Sequence, residues 1–432
     1  MTVPSRSVRH PVRVAHLGLG AFHRAHQAWY TQRAGDGSGI AAFTGRSAEA
    51  ARVLAAQDSV YTLLERGADG DSATLMEVLS EVHDGADLDA WRRVLADPDV
   101  GVLTLTVTEA GYRPGSSASS AASSSSAPAR VLDGLRARYA ADAGGIAVVS
   151  CDNLPDNGRV LRDAVLSVAE PGSDLEAWIR SEVSFVSSMV DRITPATTDA
   201  DREAVRRLTG WDDAAPVVTE PFAEWVLAGS FPAGRPAWEA AGAQFVDDIA
   251  PYERRKLWLL NAGHSLLAYE GLAAGHETVA QAVADPALAD ELELLWSEQR
   301  TELPFDAPTV DDALAALRAR FGNARIEHRL AQIGTDGSQK LGPRILDPLR
   351  SRLAAGREPG RAQLGVLAAW SVHLAGPDVR DPGAAALVER LREAAAPRER
   401  AIAVLEALAP DLTDLTDPLA ERIAARQQGA HA

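Results

Sequence analysis

The chain has 432 residues, 46% of them apolar and 24% charged, ordinary for a globular protein long enough to hold two domains with separate cores. Acidic residues outnumber basic ones by 60 to 43, a net charge of −17, which repels phosphate backbones and anionic lipid and argues against nucleic acid or membrane partners while leaving small anionic ligands open. One cysteine, Cys151, excludes an internal disulfide; no signal-like apolar core follows Arg6, Arg9 and Arg13, and no run reaches the ~18 apolar residues of a membrane span, so the expectation is a soluble, cytoplasmic protein.

Val12–Leu17 is an apolar run ending in Gly18-Leu-Gly20, with a helical pattern beyond it. Strand, glycine turn and helix open a dinucleotide-binding unit, whose glycines let backbone approach a pyrophosphate at the helix N-terminus. The third glycine of GxGxxG is absent, and His23 stands in its place. Residues 40–44 read as the next strand. Beyond it Glu49 suits the adenosine ribose hydroxyls of NAD, and Arg46 suits the 2′-phosphate of NADP; a solvated loop with a cap at Ser47 is the plain alternative. Residues 60–65 and 101–107 read as strands, with a helix at 87–96 between them, and a serine- and alanine-rich tract at 116–128 reads as a loop without chemistry. A helix over 131–141 leads to a strand over 146–150, followed by Cys151-Asp-Asn-Leu-Pro-Asp-Asn-Gly158. Asn153 there is a hydrogen-bond donor at a strand's carboxyl end or an ordinary turn residue. Residues 185–190 form a further strand running into Asp191 and Arg192, either an ion pair or a substrate clamp. Residues 217–225 and 231–238 read as turn-rich and aromatic, and from about Phe245 the pattern is helical to the end.

The expected architecture is therefore α/β, a Rossmann-type dinucleotide-binding domain over 1–245 followed by a mostly α-helical substrate domain over 246–432. The second opens with Pro251–His264, PYERRKLWLLNAGH. Leu257, Trp258, Leu259 and Leu260 cover most directions of this helix and predict burial, which makes Lys256, Asn261 and His264 costly without partners. In an α-helix Asn261 and His264 are neighbours, and Lys256 lies about 12 Å and roughly 80° from His264, a gap its stem largely bridges. Snorkelling, a backbone-bonded amide and a core histidine would account for the same three residues. Downstream, Thr335–Lys340 interrupts the helical pattern; with Lys340 and Arg344 it lines an anionic or polyhydroxyl ligand or serves as a helix connector.

These segments in this order resemble the mannitol dehydrogenase family, the polyol-specific long-chain dehydrogenases that include fructuronate and tagaturonate reductases. HLGLGAFHRAHQAWY at His16–Tyr30 is similar to the family's nucleotide-binding signature, in which FHRAHQ replaces the third glycine. LTVTEAGY, SCDNLPDNG, MVDRITP, EPFAEWV, GRPAWE, KLWLLNAGH and DGSQK extend the match over nearly the whole chain. The resemblance implies Lys256 as general base, Asn153 and Asn261 as the pair holding the substrate oxygen, and His264 as a hydroxyl contact that also positions Lys256. It places Asp191 and Lys340 near the substrate, Glu253 in proton relay, and Gly18, Gly20, Ala21, Phe22 and Glu49 at NAD, with no metal. A lysine base requires a partly neutral amine, which burial favours, and two amides steady the oxygen without adding charge.

Gln332 stands where mannitol 2-dehydrogenases place an arginine near the substrate, and QxxxDGSQK with Ile345-Leu-Asp-Pro348 looks more like the fructuronate reductase branch. The expected reaction is NAD-dependent interconversion of a sugar-derived secondary alcohol and its ketone, D-mannonate/D-fructuronate or D-mannitol/D-fructose. Arabinitol, tagaturonate and mannitol 1-phosphate are alternative substrates within the family. A catalytically idle nucleotide-binding protein is the alternative of a different class.

Overall fold

The structure, a computed structural model, describes residues 2–45, 47–107, 109–112, 126–376 and 379–429. Arg46 and residues 116–125 of the serine-rich tract lie outside them. The chain divides into two compact units, Met1–Ala250 and Pro251–Ala432.

The first unit is built on strands β1 (Val12–Leu17), β2 (Gly39–Phe43), β3 (Tyr61–Gly67), β4 (Gly70–Met76), β5 (Leu79–His83), β6 (Val102–Leu105), β7 (Ile146–Ser150), β8 (Val183–Asp191), β9 (Val217–Thr219), β10 (Glu224–Ala228) and β11 (Gln244–Val246). Eight form one sheet in the order β11-β10-β8-β7-β6-β1-β2-β5. From β5 to β8 all pairings are parallel, while β10 runs antiparallel to β8 and β11 parallel to β10. With β5 as third strand, the parallel part is the doubly wound 3-2-1-4-5-6 order, whose ligand crevice lies at the carboxyl ends beside β1. β3, β4 and β9 make a separate three-stranded sheet.

Helices cover both faces of the parallel sheet, so its strands are apolar without alternation: every residue of β2, β6 and β7 is buried. The two faces are still legible. Val14, Val102, Ala147 and Val149 join one core, and Ala15, Leu103, Ile146 and Val148 the other, as the two-residue period of a strand requires. Three sequence expectations need correction. The turn-rich aromatic stretches contain β9 and β10, because Val217–Thr219 and Trp225–Leu227 are buried by pairing partners remote in sequence. The helical pattern starts later than Phe245, which belongs to β11, an edge strand too short to show a period. The strand read at 60–65 extends to Gly67, pairs with β4, and lies in the small sheet.

The second unit is helical around Arg361–Leu374, a helix buried from Ala362 to Ser371. The buried Glu298 carboxylate accepts the Ala362 and Gln363 N–H groups at 3.0–3.1 Å, replacing water at a helix start that lies inside the core. Trp296, Phe321, Trp370 and the leucines of the surrounding helices fill that core. No helix among the described residues is long and apolar enough to cross a membrane.

Candidate active site

In the first unit the candidate residues collect at the carboxyl ends of parallel strands. β1 runs into Gly18, with φ +109°, and a Cβ built there would strike the Thr106 carbonyl and come within 2.8 Å of Thr106 Oγ1. Only glycine fits this turn. The Gly18 and Leu19 N–H groups donate to the Phe43 carbonyl at 2.9 Å, and Thr106 Oγ1 donates to the Gly18 carbonyl at 2.7 Å. The turn is thereby fastened to the ends of β2 and β6. Gly20 precedes a short helix, Ala21–Ala25, that breaks at His26 before Gln27–Ala34.

His23, at the third-glycine position, is fully buried and stacks on His16 at 3.3 Å. His16 hydrogen-bonds Thr104 and Thr106, and burial lowers its pKa to about 3. Burial, then the charge of His16, holds His23 well below its ordinary value. The histidine therefore serves as a neutral aromatic wedge beneath the turn. Glu49 begins helix Glu49–Ala55 and pairs with Arg52 at 2.6 Å, both largely exposed.

Asn153 lies in the exposed loop after β7, and Asp191 is the buried last residue of the adjacent β8. That loop is held by a residue the motif reading passed over: Asn157 donates to the Asp152 and Ser188 carbonyls and accepts the Ser188 N–H. Beside it a Cβ at Gly158 would meet the Ser187 N–H at 2.5 Å, so helix and strand are in direct backbone contact.

In the second unit, Lys256, Asn261 and His264 share one continuous helical run, with a difference from the expected geometry. Ala250–Arg255 and Ala262–Ala273 are α-helical, but Lys256–Asn261 is a π-helix. In an α-helix residues five apart point about 140° away from each other; in an i→i+5 turn they lie one above the other. The π segment therefore puts Lys256 and Asn261, both half-buried, on one face. Glu253, three residues before Lys256, lies in the preceding α-helix on the same side.

A second π segment, Gly342–Leu346, contains Pro343, which lacks the N–H for an ordinary turn, and Arg344. Side chains tie the two segments. Trp296 Nε1 donates to the Leu259 carbonyl at 2.9 Å, Arg344 Nη1 to the Asn261 carbonyl at 3.4 Å and Ser265 Oγ at 3.0 Å, and Gln299 to the Arg344 carbonyl at 3.2 Å. Nothing in the spacing of KLWLLNAGH signals this register.

His264 is buried against the rings of Phe321 and His328, 4.7 and 4.6 Å away. Burial, followed by the charges of His328, Arg320, Arg344 and Lys256, keeps it neutral, and its Nε2 has no hydrogen-bond partner among the described residues. Lys340 Nζ donates to the Thr335 carbonyl at 2.6 Å and so closes the DGSQK turn. A Cβ on Gly337 would strike Trp370 Nε1 and approach its Cδ1 to 2.7 Å, which fixes glycine there. Gln332 is exposed on the short helix before it. No group of three potential metal ligands occurs among the described residues.

A doubly wound sheet with a glycine turn at β1, joined to a helical domain presenting lysine, asparagine and histidine, is the architecture of a two-domain dehydrogenase. The chain belongs to the mannitol dehydrogenase family: its Rossmann domain matches residues 12–240 and its C-terminal domain residues 248–428. The chain is 35% identical to D-mannonate oxidoreductase of Escherichia coli over 85% of this chain and 80% of that one. It is also 35% identical to mannitol 2-dehydrogenase of Cereibacter sphaeroides, over 88% and 86%. The structure of Pseudomonas fluorescens mannitol 2-dehydrogenase with NAD and D-mannitol superposes with a TM-score of 0.81 at 32% identity, covering 98% of this chain and 93% of that one.

Proposed function

We propose that the protein is an NAD-dependent oxidoreductase that interconverts a secondary alcohol of a polyol or sugar acid with the corresponding ketone, using Lys256 as general acid and base. The observation that carries this reading is the π segment that sets Lys256 and Asn261 on one face, with a neutral, buried His264 in the next turn.

The glycine turn suits the cofactor. Gly18 lets the chain turn tightly against Thr106, and Gly20, Ala21 and Phe22 follow at the start of the helix, where backbone N–H groups suit a phosphate. Glu49 is the residue assigned to the adenosine ribose. When bound, NAD supplies the acceptor or donor of the hydride.

The chain's own residues manage the proton and the oxygen. In oxidation, neutral Lys256 takes the hydroxyl proton while the carbon loses its hydride. In reduction the ammonium returns that proton to the carbonyl oxygen, with Glu253 relaying it to and from solvent. The amides of Asn261 and Asn153 donate to the substrate oxygen as negative charge builds on it. His264, whose buried Nε2 has no hydrogen-bond partner among the described residues, is assigned to a substrate hydroxyl, and Asp191 and Lys340 to the remaining hydroxyls. The relatives' names point to D-mannonate and D-mannitol, and D-mannonate/D-fructuronate and D-mannitol/D-fructose are the pairs we propose.

The test is NADH oxidation with fructuronate, tagaturonate, fructose and pentuloses. Turnover of at least one is expected. A protein that binds NADH yet turns over none of them is a binding protein on the dehydrogenase fold, and the proposal fails.

A further inference from the structure

Among the described residues Arg344 has no counter-ion. Its guanidinium is half-buried, and burial lowers its pKa to about 10, opposed by the Tyr269 hydroxyl with no carboxylate contributing. Among the described residues Nη1 alone is engaged, by Ser265 Oγ and the Asn261 carbonyl. Among these residues Nε and Nη2 have no acceptor, and the residue keeps partial exposure.

Other buried arginines of this chain are met. Six carbonyls surround Arg138, Glu65 pairs with Arg192, and Glu270 with Arg426. A partly buried guanidinium with an unengaged edge keeps its charge-assisted hydrogen bonds for an anion. The chain carries 60 acidic residues, and none stands opposite this one among the described residues.

Arg344 is presented by one π segment and anchored through Nη1 to the other, at the backbone of Asn261 and one residue past His264. That anchor immobilises the side chain and leaves the Nε–Nη2 edge, two parallel N–H bonds matching the two oxygens of a carboxylate.

We infer that Arg344 is a specificity-determining residue that receives the carboxylate of a sugar-acid substrate through its Nε–Nη2 edge. The inference rests on the proposed reaction at Lys256 and adds which substrate the site selects. An uncharged ketose would leave the arginine unpaired, whereas a uronate completes it; sites built around a polar partner reject analogues lacking it by large factors. A sugar phosphate offers a larger negative charge on tetrahedral oxygens.

The experiment compares kcat/KM for fructuronate, fructose and fructose 6-phosphate in the wild type, Arg344→Gln and Arg344→Lys. The wild type is expected to prefer fructuronate over fructose by about 100-fold or more, and Arg344→Gln to lower that ratio by about 100-fold, chiefly through KM for fructuronate. Arg344→Lys, which keeps the charge and loses the fork, falls between. An unchanged ratio with both activities reduced would make Arg344 only a clamp on the Asn261 helix, and the inference fails. A preference for fructose 6-phosphate that Arg344→Gln abolishes assigns the anion to phosphate and also overturns it.

Binding separates this inference from the reaction it rests on. With NAD present, mannonate is expected to raise the Tm of the wild type more than mannitol does, and Arg344→Gln to erase the difference. That outcome without turnover of any ketose refutes the reaction and keeps the arginine. Turnover of fructose with equal stabilisation by mannonate and mannitol refutes the arginine and keeps the reaction.

Discussion

Gly18→Ala and Gly20→Ala form a matched pair on the glycine turn. At Gly18 the φ of +109° costs a non-glycine residue about 1–2 kcal/mol. The new methyl also meets the Thr106 carbonyl, with its carbon at 3.0 Å, and a backbone group held at the end of β6 cannot rotate aside. Overpacking of this kind adds about 1–3 kcal/mol, for a total of roughly 2–5 kcal/mol. For a unit of this size that lowers the Tm of the N-terminal domain's transition by about 4–20 °C. Relief of the clash requires the turn to move off Thr106, so NADH affinity is expected to fall at least ~10-fold, about 1.4 kcal/mol.

At Gly20 the arithmetic is different. The backbone is extended, with φ −130°, and an added Cβ has the Gly18 carbonyl oxygen as its nearest contact at 3.6 Å, an ordinary distance. Gly20→Ala is expected to change the Tm by less than about 2 °C. Thermal unfolding followed by circular dichroism, together with NADH titration by fluorescence, measures both variants. Equal effects of the two substitutions, or a Gly18→Ala protein with wild-type stability and NADH affinity, would refute the reasoning.

Lys256→Ala is expected to lower kcat by about 10²–10⁴ with NADH affinity unchanged, because the amine acts on substrate; steady-state kinetics and NADH titration check it. Trp296→Phe keeps the ring but loses the donor to Leu259, and a shift of the π register is expected to cost about 10-fold in kcat while the NADH Kd is unchanged. Arg138→Met removes a fully buried guanidinium from six carbonyls of the 95–100 and 143–145 turns and is expected to destabilise the first unit by about 3–5 kcal/mol in urea unfolding. His16, with its pKa lowered to about 3, binds a proton near pH 6.5 only when unfolded. Stability at this residue is thus full above that pH and lost as pH falls toward 3. Linkage gives a loss of about 2 kcal/mol at pH 5, so urea midpoints at pH 7 and 5 are expected to converge in His16→Asn relative to the wild type.

The glycine turn, the parallel strands and the polar loops at their carboxyl ends were legible because each depends on neighbours in sequence. Apolar runs of strand length, glycine at a positive φ and asparagine after a strand are local requirements, and local patterns report them. β9 and β10 were hidden for the opposite reason, since they pair with β3 and β8 well back along the chain, and β11 because three residues at a sheet edge carry no period. His23 was legible only as a missing glycine. That it fills the space by stacking on His16 depends on the closeness of β1 and the helix after it.

The helix at Pro251–Asn261 divides the two kinds of information most clearly. Sequence alone determined that lysine, asparagine and histidine share one apolar helix of the second domain, since composition and short spacing settle that. It assigned them α-helical angles, under which Lys256 and Asn261 point apart. The π turn that aligns them is a choice among backbone registers of similar local energy. The Trp296 and Arg344 hydrogen bonds to Leu259 and Asn261, 37 and 83 residues away in sequence, bear on that choice. Only the packed domain brings those donors to the helix, so only the tertiary structure decided which way the lysine points.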